Sequence, residues 1–228
     1  MLTAYFQAFF YDKNQSYLRQ SPRKRSHSFV QAFLKLHYAL LEYGDVSVGI
    51  STTNIAGTAV TVNNTASGSS TTRDRMSLLS TGPGRGGSSL TIAGATAAST
   101  TIVLGSSANN GIVVGTGTTA VAPTDYQLAT QVVDGTSSGQ LEIFPCGGTN
   151  FTTSGLTASF DLERLFRNSS GGSITINEVG VYSAHDAYDG FSLGLLAHFC
   201  TIRDIVSPGF AVANGEYMRI VYTLSVTA

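Results

Sequence analysis

The sequence predicts a mainly β protein: an antiparallel β-sandwich of jelly-roll or immunoglobulin-like type, with one amphipathic N-terminal helix. Three features lead there. Runs such as Gly111-Ile-Val-Val-Gly115, Gln140-Leu-Glu-Ile-Phe144, Ser173-Ile-Thr-Ile-Asn177 and Tyr217 to Val226 alternate apolar and polar residues, the period of a half-buried strand. Clusters of Gly, Asn, Ser and Pro separate them and supply turn conformations. One stretch, about Ser26 to Tyr43, instead repeats apolar residues every three or four positions, which gathers them on one helix face.

Taken in order, Met1 to Tyr11 alternates as a strand, and Asp12-Lys-Asn-Gln15 reads as a turn. The strand has no leading positive charges and no small-residue cleavage site after it, so a secretory signal is not expected. After Ser21-Pro22 the helix gathers Phe29, Val30, Phe33, Leu34, Leu36, His37, Leu40 and Leu41 on one broad face. Ser28 with Gln31 fits a capping box, and Gly44 is placed to end the helix. That face must be buried against the β-domain or a neighbouring subunit. Residues 1–44 thus form a strand plus a docking helix.

Residues 45–110 are a Ser/Thr/Gly-rich β segment, an insertion or a part of the sandwich. Strand candidates lie at 46–50, 58–62, 90–93 and 101–104, with polar loops at 63–70 and 81–87. Residues 111–228 form the sandwich core. There 159–166, the turn Asn168-Ser-Ser-Gly-Gly172 and 173–182 read as a hairpin, because that loop supplies the positive φ angles a return needs. Residues 199–205 and 217–226 continue the scheme.

At 228 residues the chain is long enough to bury a real core as one domain or two. Charged residues make up only 12%, about half the usual share. A surface so poor in charge points to a chain covered by copies of itself or by neighbours. A secreted β-protein with a Ser/Thr-rich surface is the plainer alternative. Residues 1–35 carry a net charge of +5 and the remainder −6, which suits head-to-tail docking between subunits or contact with a polyanion. The cluster Arg23-Lys24-Arg25 is too short for a nucleic-acid site and reads as a solvated or partner-facing helix start.

No apolar run reaches the roughly 18 residues of a membrane-spanning helix. Cys146 and Cys200 sit in separate predicted strands; a disulfide is open to them in an oxidising setting, and two buried free thiols are the expected state. His198 shares a strand face with Cys200 but has no further ligand at zinc spacing. Gly111 to Thr119 contains Gly-x-Gly without a following helix start or Walker lysine, so it reads as a strand entering a turn rather than a phosphate cradle. Asn63, Asn150 and Asn168 stand in Asn-x-Ser/Thr sequons. Three carboxylate pairs are candidates for acid and base work: Asp134 with Glu142, Asp161 with Glu163, and Asp186 with Asp189. Asp161 and Glu163 would share one strand face about 7 Å apart; solvated positions explain all three pairs equally. Residues 182–191 read as a polar loop whose His185, Asp186, Tyr188 and Asp189 offer a sugar or cation site.

Three runs carry a family resemblance: Gly111 to Thr130 (GIVVGTGTTAVAPTDYQLAT), Arg167 to Tyr182 (RNSSGGSITINEVGVY), and Ile202-Arg-Asp-Ile205 with Val212-Ala-Asn-Gly-Glu216 and the terminal strand. Together they resemble structural proteins of tailed bacteriophages and their prophage relatives. The basic stretch before Ser26-His-Ser-Phe-Val-Gln-Ala-Phe-Leu34 is similar to their front end, so the resemblance covers about 21–43 and 111–228. It implies a β-sandwich component of the virion, present in many copies, of tail, neck, fibre-attachment or capsid-decoration type.

The function expected is therefore that of a non-enzymatic virion structural protein without cofactor, metal site or membrane association. Its partners would be other copies of itself and other virion proteins, through Arg23, Lys24, Arg25, Phe29, Phe33, Leu36 and Leu40. The alternative is a carbohydrate-binding β-sandwich module that takes host-surface glycans on His185, Asp186, Tyr188 and Asp189. A glycosidase, which needs paired carboxylates in a cleft, is a third reading.

Overall fold

A computed structural model describes residues 2–26, 28–41, 50–62, 76–77, 102–103, 109–148, 151–187 and 195–228. Its elements are β1 (Leu2–Tyr11), β2 (Tyr17–Gln20), β3 (Lys24–Ser26), α1 (Gln31–Leu41), β4 (Ile50–Thr53), β5 (Ala59–Val62), β6 (Met76–Ser77), β7 (Ile102–Val103), β8 (Gly111–Gly115), β9 (Glu142–Gly148), β10 (Thr152–Ser154), β11 (Thr157–Arg167), β12 (Ile174–Ala187), β13 (Leu195–Val212) and β14 (Tyr217–Thr227). The protein is mainly β, and its named strands pair antiparallel throughout.

A large sheet runs β2-β1-β14-β11-β9-β7, with β3 also on β1 and β10 also on β11. The first and last strands lie side by side, Leu2 opposite Val226 and Tyr11 opposite Tyr217. A second sheet runs β13-β12-β6, with β8 on β12, and β4 with β5 forms a third. Alternation decides what each strand buries: Ala4, Phe6, Ala8 and Phe10 of β1 point inward, as do Met218, Ile220 and Tyr222 of β14. They enter one apolar cluster with Ile176, Val179 and Val181 of β12 and Val206 and Phe210 of β13. The core thus lies between the large sheet and the second one.

The second sheet is covered on its other face as well. Val30, Ala32 and Leu36 join Val60, Val62, Val113, Tyr182 and Phe199 in a second cluster. This double covering explains why β8 is buried at every position, as befits a strand with no solvent face.

Several expectations change. Segments 159–166 and 173–182 are not a hairpin: β11 belongs to the large sheet and β12 to the second, so residues 168–173 cross between sheets. Gly171 has the positive φ (86°) that this loop predicts, but the loop serves a corner, and β12 finds its antiparallel partner in β13. The helix starts at Gln31 rather than Ser26, because Lys24–Ser26 pair with Phe6 to Ala4 as a strand. Ser28 and Val30 then bond to β13 through their backbones. The amide of Gln31 donates to the Pro123 carbonyl (2.8 Å), so the loop before β9, and not a Ser28 box, satisfies the helix start. The strand candidates at 90–93 and the caps around Tyr43 and Gly44 lie outside the described residues.

Candidate functional site

The runs that carry the resemblance converge on a set of buried polar side chains. Glu178 of β12 is fully buried. Its carboxylate accepts from the amides of Gly117 (3.2 Å), Ala129 (3.0 Å) and Thr130 (2.7 Å) and from Arg203 Nε (3.0 Å). Arg203 of β13 is itself buried. It donates on to Asp125 Oδ2 (2.5 Å) and to the Thr119 carbonyl (2.8 Å). Asp125 Oδ2 in turn accepts from the Ala122 amide at 2.8 Å. Two charges taken out of water are tolerated only when paired and supplied with further hydrogen bonds, and here loop 116–130 supplies them. Glycine is required at 115 and 117, since a Cβ at either would run into the Glu178 carboxylate.

Neighbouring groups extend this order. The Leu128 amide donates to the Tyr182 hydroxyl (2.7 Å), and Asn177 Nδ2 donates to the Thr116 carbonyl (3.0 Å). Burial pushes the Tyr182 phenol well up from its ordinary value. Tyr222 of the large sheet donates to Asp204 of the second at 2.9 Å, and burial raises that phenol too. Arg164 of β11, 1% exposed, donates to the carbonyls of Phe144, Asn110 and Ile112 at 2.7–2.8 Å. It therefore links the large sheet to β8 of the second, and burial lowers its pKa. Asn168 Nδ2 donates to the carbonyls of Gly172 (2.8 Å) and Val212 (2.7 Å), while its backbone bonds to Gly215 and Glu216. The two crossings between sheets, 168–173 and 213–216, are pinned together in this way.

Chemically this is an ordering device. Four donors occupy the Glu178 carboxylate, and the buried Asn168 of the sequon cannot present its amide to a modifying enzyme. Sequence reasoning missed Glu178, Arg203, Asp125 and Arg164 as a group, yet it held a signal. Arg164 has the parity of the core residues Leu162 and Phe166, and Glu178 that of Ile174 and Ile176. A charge on the core side of a strand demands buried partners.

The expected partner residues are dispersed. Arg23 and Arg25 are exposed, Arg23 lying 4.5 Å over the Tyr5 ring, and Lys24 donates to the Ser207 carbonyl (2.6 Å). They flank and form β3 rather than a helix start. Phe29 bridges to Ile202 and packs against Phe33, ring centroids 4.6 Å apart. Leu36 is 1% exposed and packs in the cluster of Val30, Val60, Val62 and Phe199, so the protein's own strands cover most of it. The side chain of Leu40 lies outside the described residues.

The polar loop expected at 182–191 is corrected in its first half. Ser183 to Ala187 continue β12 by pairing with Phe199 to Leu195. His185 is buried, its Nε2 3.2 Å from Ser183 Oγ, and cannot reach a glycan from solvent. The side chain of Asp186, together with Tyr188 and Asp189, lies outside the described residues.

Asp134 accepts from the Ile143 amide (2.8 Å), and Glu142 accepts from Ser169 Oγ (2.5 Å), so that pair serves local structure. Asp161 and Glu163 lie on the outward face of β11. Cys146 and Cys200 are buried and free, and burial pushes the Cys200 thiol up to about 12. Among the described residues no group of three or more His, Cys, Asp or Glu is placed to hold a metal ion, and no helix is long and apolar enough to cross a membrane. No protein-family model matches this chain, and no curated protein or solved structure matches it.

Proposed function

We propose that the chain is a non-enzymatic structural protein of a tailed-phage particle, assembled in many copies at the tail, neck or capsid surface. In this reading the two sheets close on their shared core as a β-sandwich and the helix packs on its flank. The observation that supports it most is where the resembling runs meet: Asp125, Glu178, Arg203 and Asn168, one or more from each run, are spent on holding loop and corners in place. Residues spent on folding rather than on chemistry fit a particle component.

A second support is the apolar end of the large sheet. Leu2 and Val226 are neighbours in register and half-exposed, and Phe151 and Leu156 are 67% and 73% exposed. With Phe33 and Leu36, three of these four side chains (Leu2, Phe151 and Val226) line a cavity of about 380 Å³. Grouped apolar exposure of this kind marks contact surfaces. Mass spectrometry of particles banded from lysed host culture is the test: the chain is expected among the stoichiometric components. Its absence from particles, together with a lone 23.9 kDa species by light scattering, would sink the reading.

A further inference from the structure

We propose that the outward face of the large sheet carries a binding groove for a neutral saccharide. Tyr5, Gln7 and Phe9 have the parity opposite to Phe6 and Ala8 and so point away from the core. Register places Tyr5 beside Thr223, with Asp161 on the far side of Thr223; Gln7 beside Val221, with Glu163 on the far side of Val221; and Phe9 beside Arg219. Arg23, entering β3, stands over Tyr5. Between them lies a groove of about 500 Å³ lined by Tyr5, Phe9, Arg23, Asp161, Glu163 and Arg219.

The chemistry of this lining selects its ligand. Two guanidiniums and two carboxylates balance, so neither a polyanion such as nucleic acid nor a polycation is favoured. What such a surface offers is fixed donors beside fixed acceptors, the pattern that hydroxyl groups satisfy because each both donates and accepts. Thr223 and Ser159 add hydroxyls along the same wall. The arginines are in place before any ligand arrives: Arg23 Cζ lies 4.5 Å from the Tyr5 centroid, and Arg219 Cζ lies 4.9 Å from the Phe9 centroid while its Nη1 is 3.5 Å from Glu163. Guanidiniums already seated over a ring lose little freedom on binding. The rings are covered by arginine rather than bare, so recognition rests on hydrogen bonds and a single site is weak, with a Kd of roughly 0.1–1 mM. Many copies on one assembly raise that by avidity.

The test is a glycan array bearing neutral, sulfated and sialylated oligosaccharides from bacterial, plant and animal surfaces, probed with the labelled full chain. Retention on neutral glycans is expected, with a drop of ten-fold or more in Asp161→Asn and in Arg23→Ala, and no change in Val133→Ala, an exposed position outside the groove. Unchanged thermal midpoints show that the variants fold. No retention, equal retention by the groove variants, or preference for the sulfated glycans overturns the proposal. So does a groove variant that changes the oligomer mass in light scattering while no glycan is retained, because the face is then a contact between copies. The virion reading stands or falls separately, on particle composition.

Discussion

Glu178 illustrates how one buried carboxylate organises fifteen residues of loop. With Arg203 beside it and three amides aimed at it, removing the charge on either partner strands the other. Glu178→Ala is expected to cost about 3–5 kcal/mol of stability, because Arg203 is left buried with its Nε unpaired. The double change Glu178→Met with Arg203→Met should cost clearly less than the single one, since neither of the two fully buried charges remains and Asp125, its side chain 22% exposed, keeps access to water. Urea midpoints compared at constant slope decide this; a double variant as damaged as the single would refute the ion-pair account. Cys200 gives a second expectation. Its thiol is held protonated to about 12 in the fold against an ordinary 9.0, so below about pH 9 both states carry the proton and stability is unaffected. Between about pH 9 and 12 the unfolded thiol ionises alone, and stability falls by at most about 1.4 kcal/mol per pH step. The urea midpoint should drop from about pH 8 to about pH 10, and less steeply in Cys200→Ala. A slope unaltered by that substitution would remove Cys200 from the account. At this scale the sequence was half legible. The alternation identified Phe6, Phe166 and Ile220 as core, but nothing local told which distant backbone amides would receive Glu178.

Among the elements, β13 faces the hardest problem. It is 18 residues long and pairs with β12 on one side, so its other edge would expose a row of carbonyls ready to template aggregation. The N-terminal segment closes that edge. Ser28 and Val30 bond around Ile202, Lys24 Nζ reaches the Ser207 carbonyl (2.6 Å), and Arg19 reaches the Ala211 carbonyl (2.7 Å) while pairing with Glu216. Replacing Arg19 and Lys24 together with alanine should release β2 and β3. Amide exchange there is expected to speed up while β11 and β12 keep their protection, with a global loss of only about 1–2 kcal/mol because these groups are largely solvated. Unchanged exchange in β2 and β3 would show that the cations do not hold the edge. The strands themselves were readable by period, including β1, β8 and β14. Their pairing was not: an Asn-Ser-Ser-Gly-Gly loop looks the same whether it returns a strand to its neighbour or carries it to another sheet. The polar letters of Ser183 to Asp186 likewise hid a strand, because pairing with Leu195 to Phe199 depends on residues beyond the loop.

For the molecule as a whole, the opposed charge of its two parts reads differently once folded. Three of the six cations of the positive front are used internally, Arg19 on Glu216, Lys24 on Ser207 and Lys35 on Ser51, and these fasten the N-terminal segment to the body. Low overall charge was legible in composition, but the destination of each charge depends on a fold that composition does not specify. Apolar side chains also face solvent, among them Leu2, Phe151, Leu156 and Val226 at one end of the large sheet, and Leu34 on α1 at 69% exposure. Apolar contacts strengthen slightly as salt is raised, whereas exposed ion pairs weaken once the screening length falls from about 30 Å to about 3 Å. If the particle contacts are of the first kind, the oligomer mass by light scattering holds between about 0.01 M and about 1 M salt. Phe151→Asp with Leu156→Asp should then dissociate it without lowering the thermal midpoint, since both side chains already face solvent in the single chain. Dissociation by salt alone, or an oligomer indifferent to the double substitution, would return the contacts to the charged surface and remove the apolar end from the assembly.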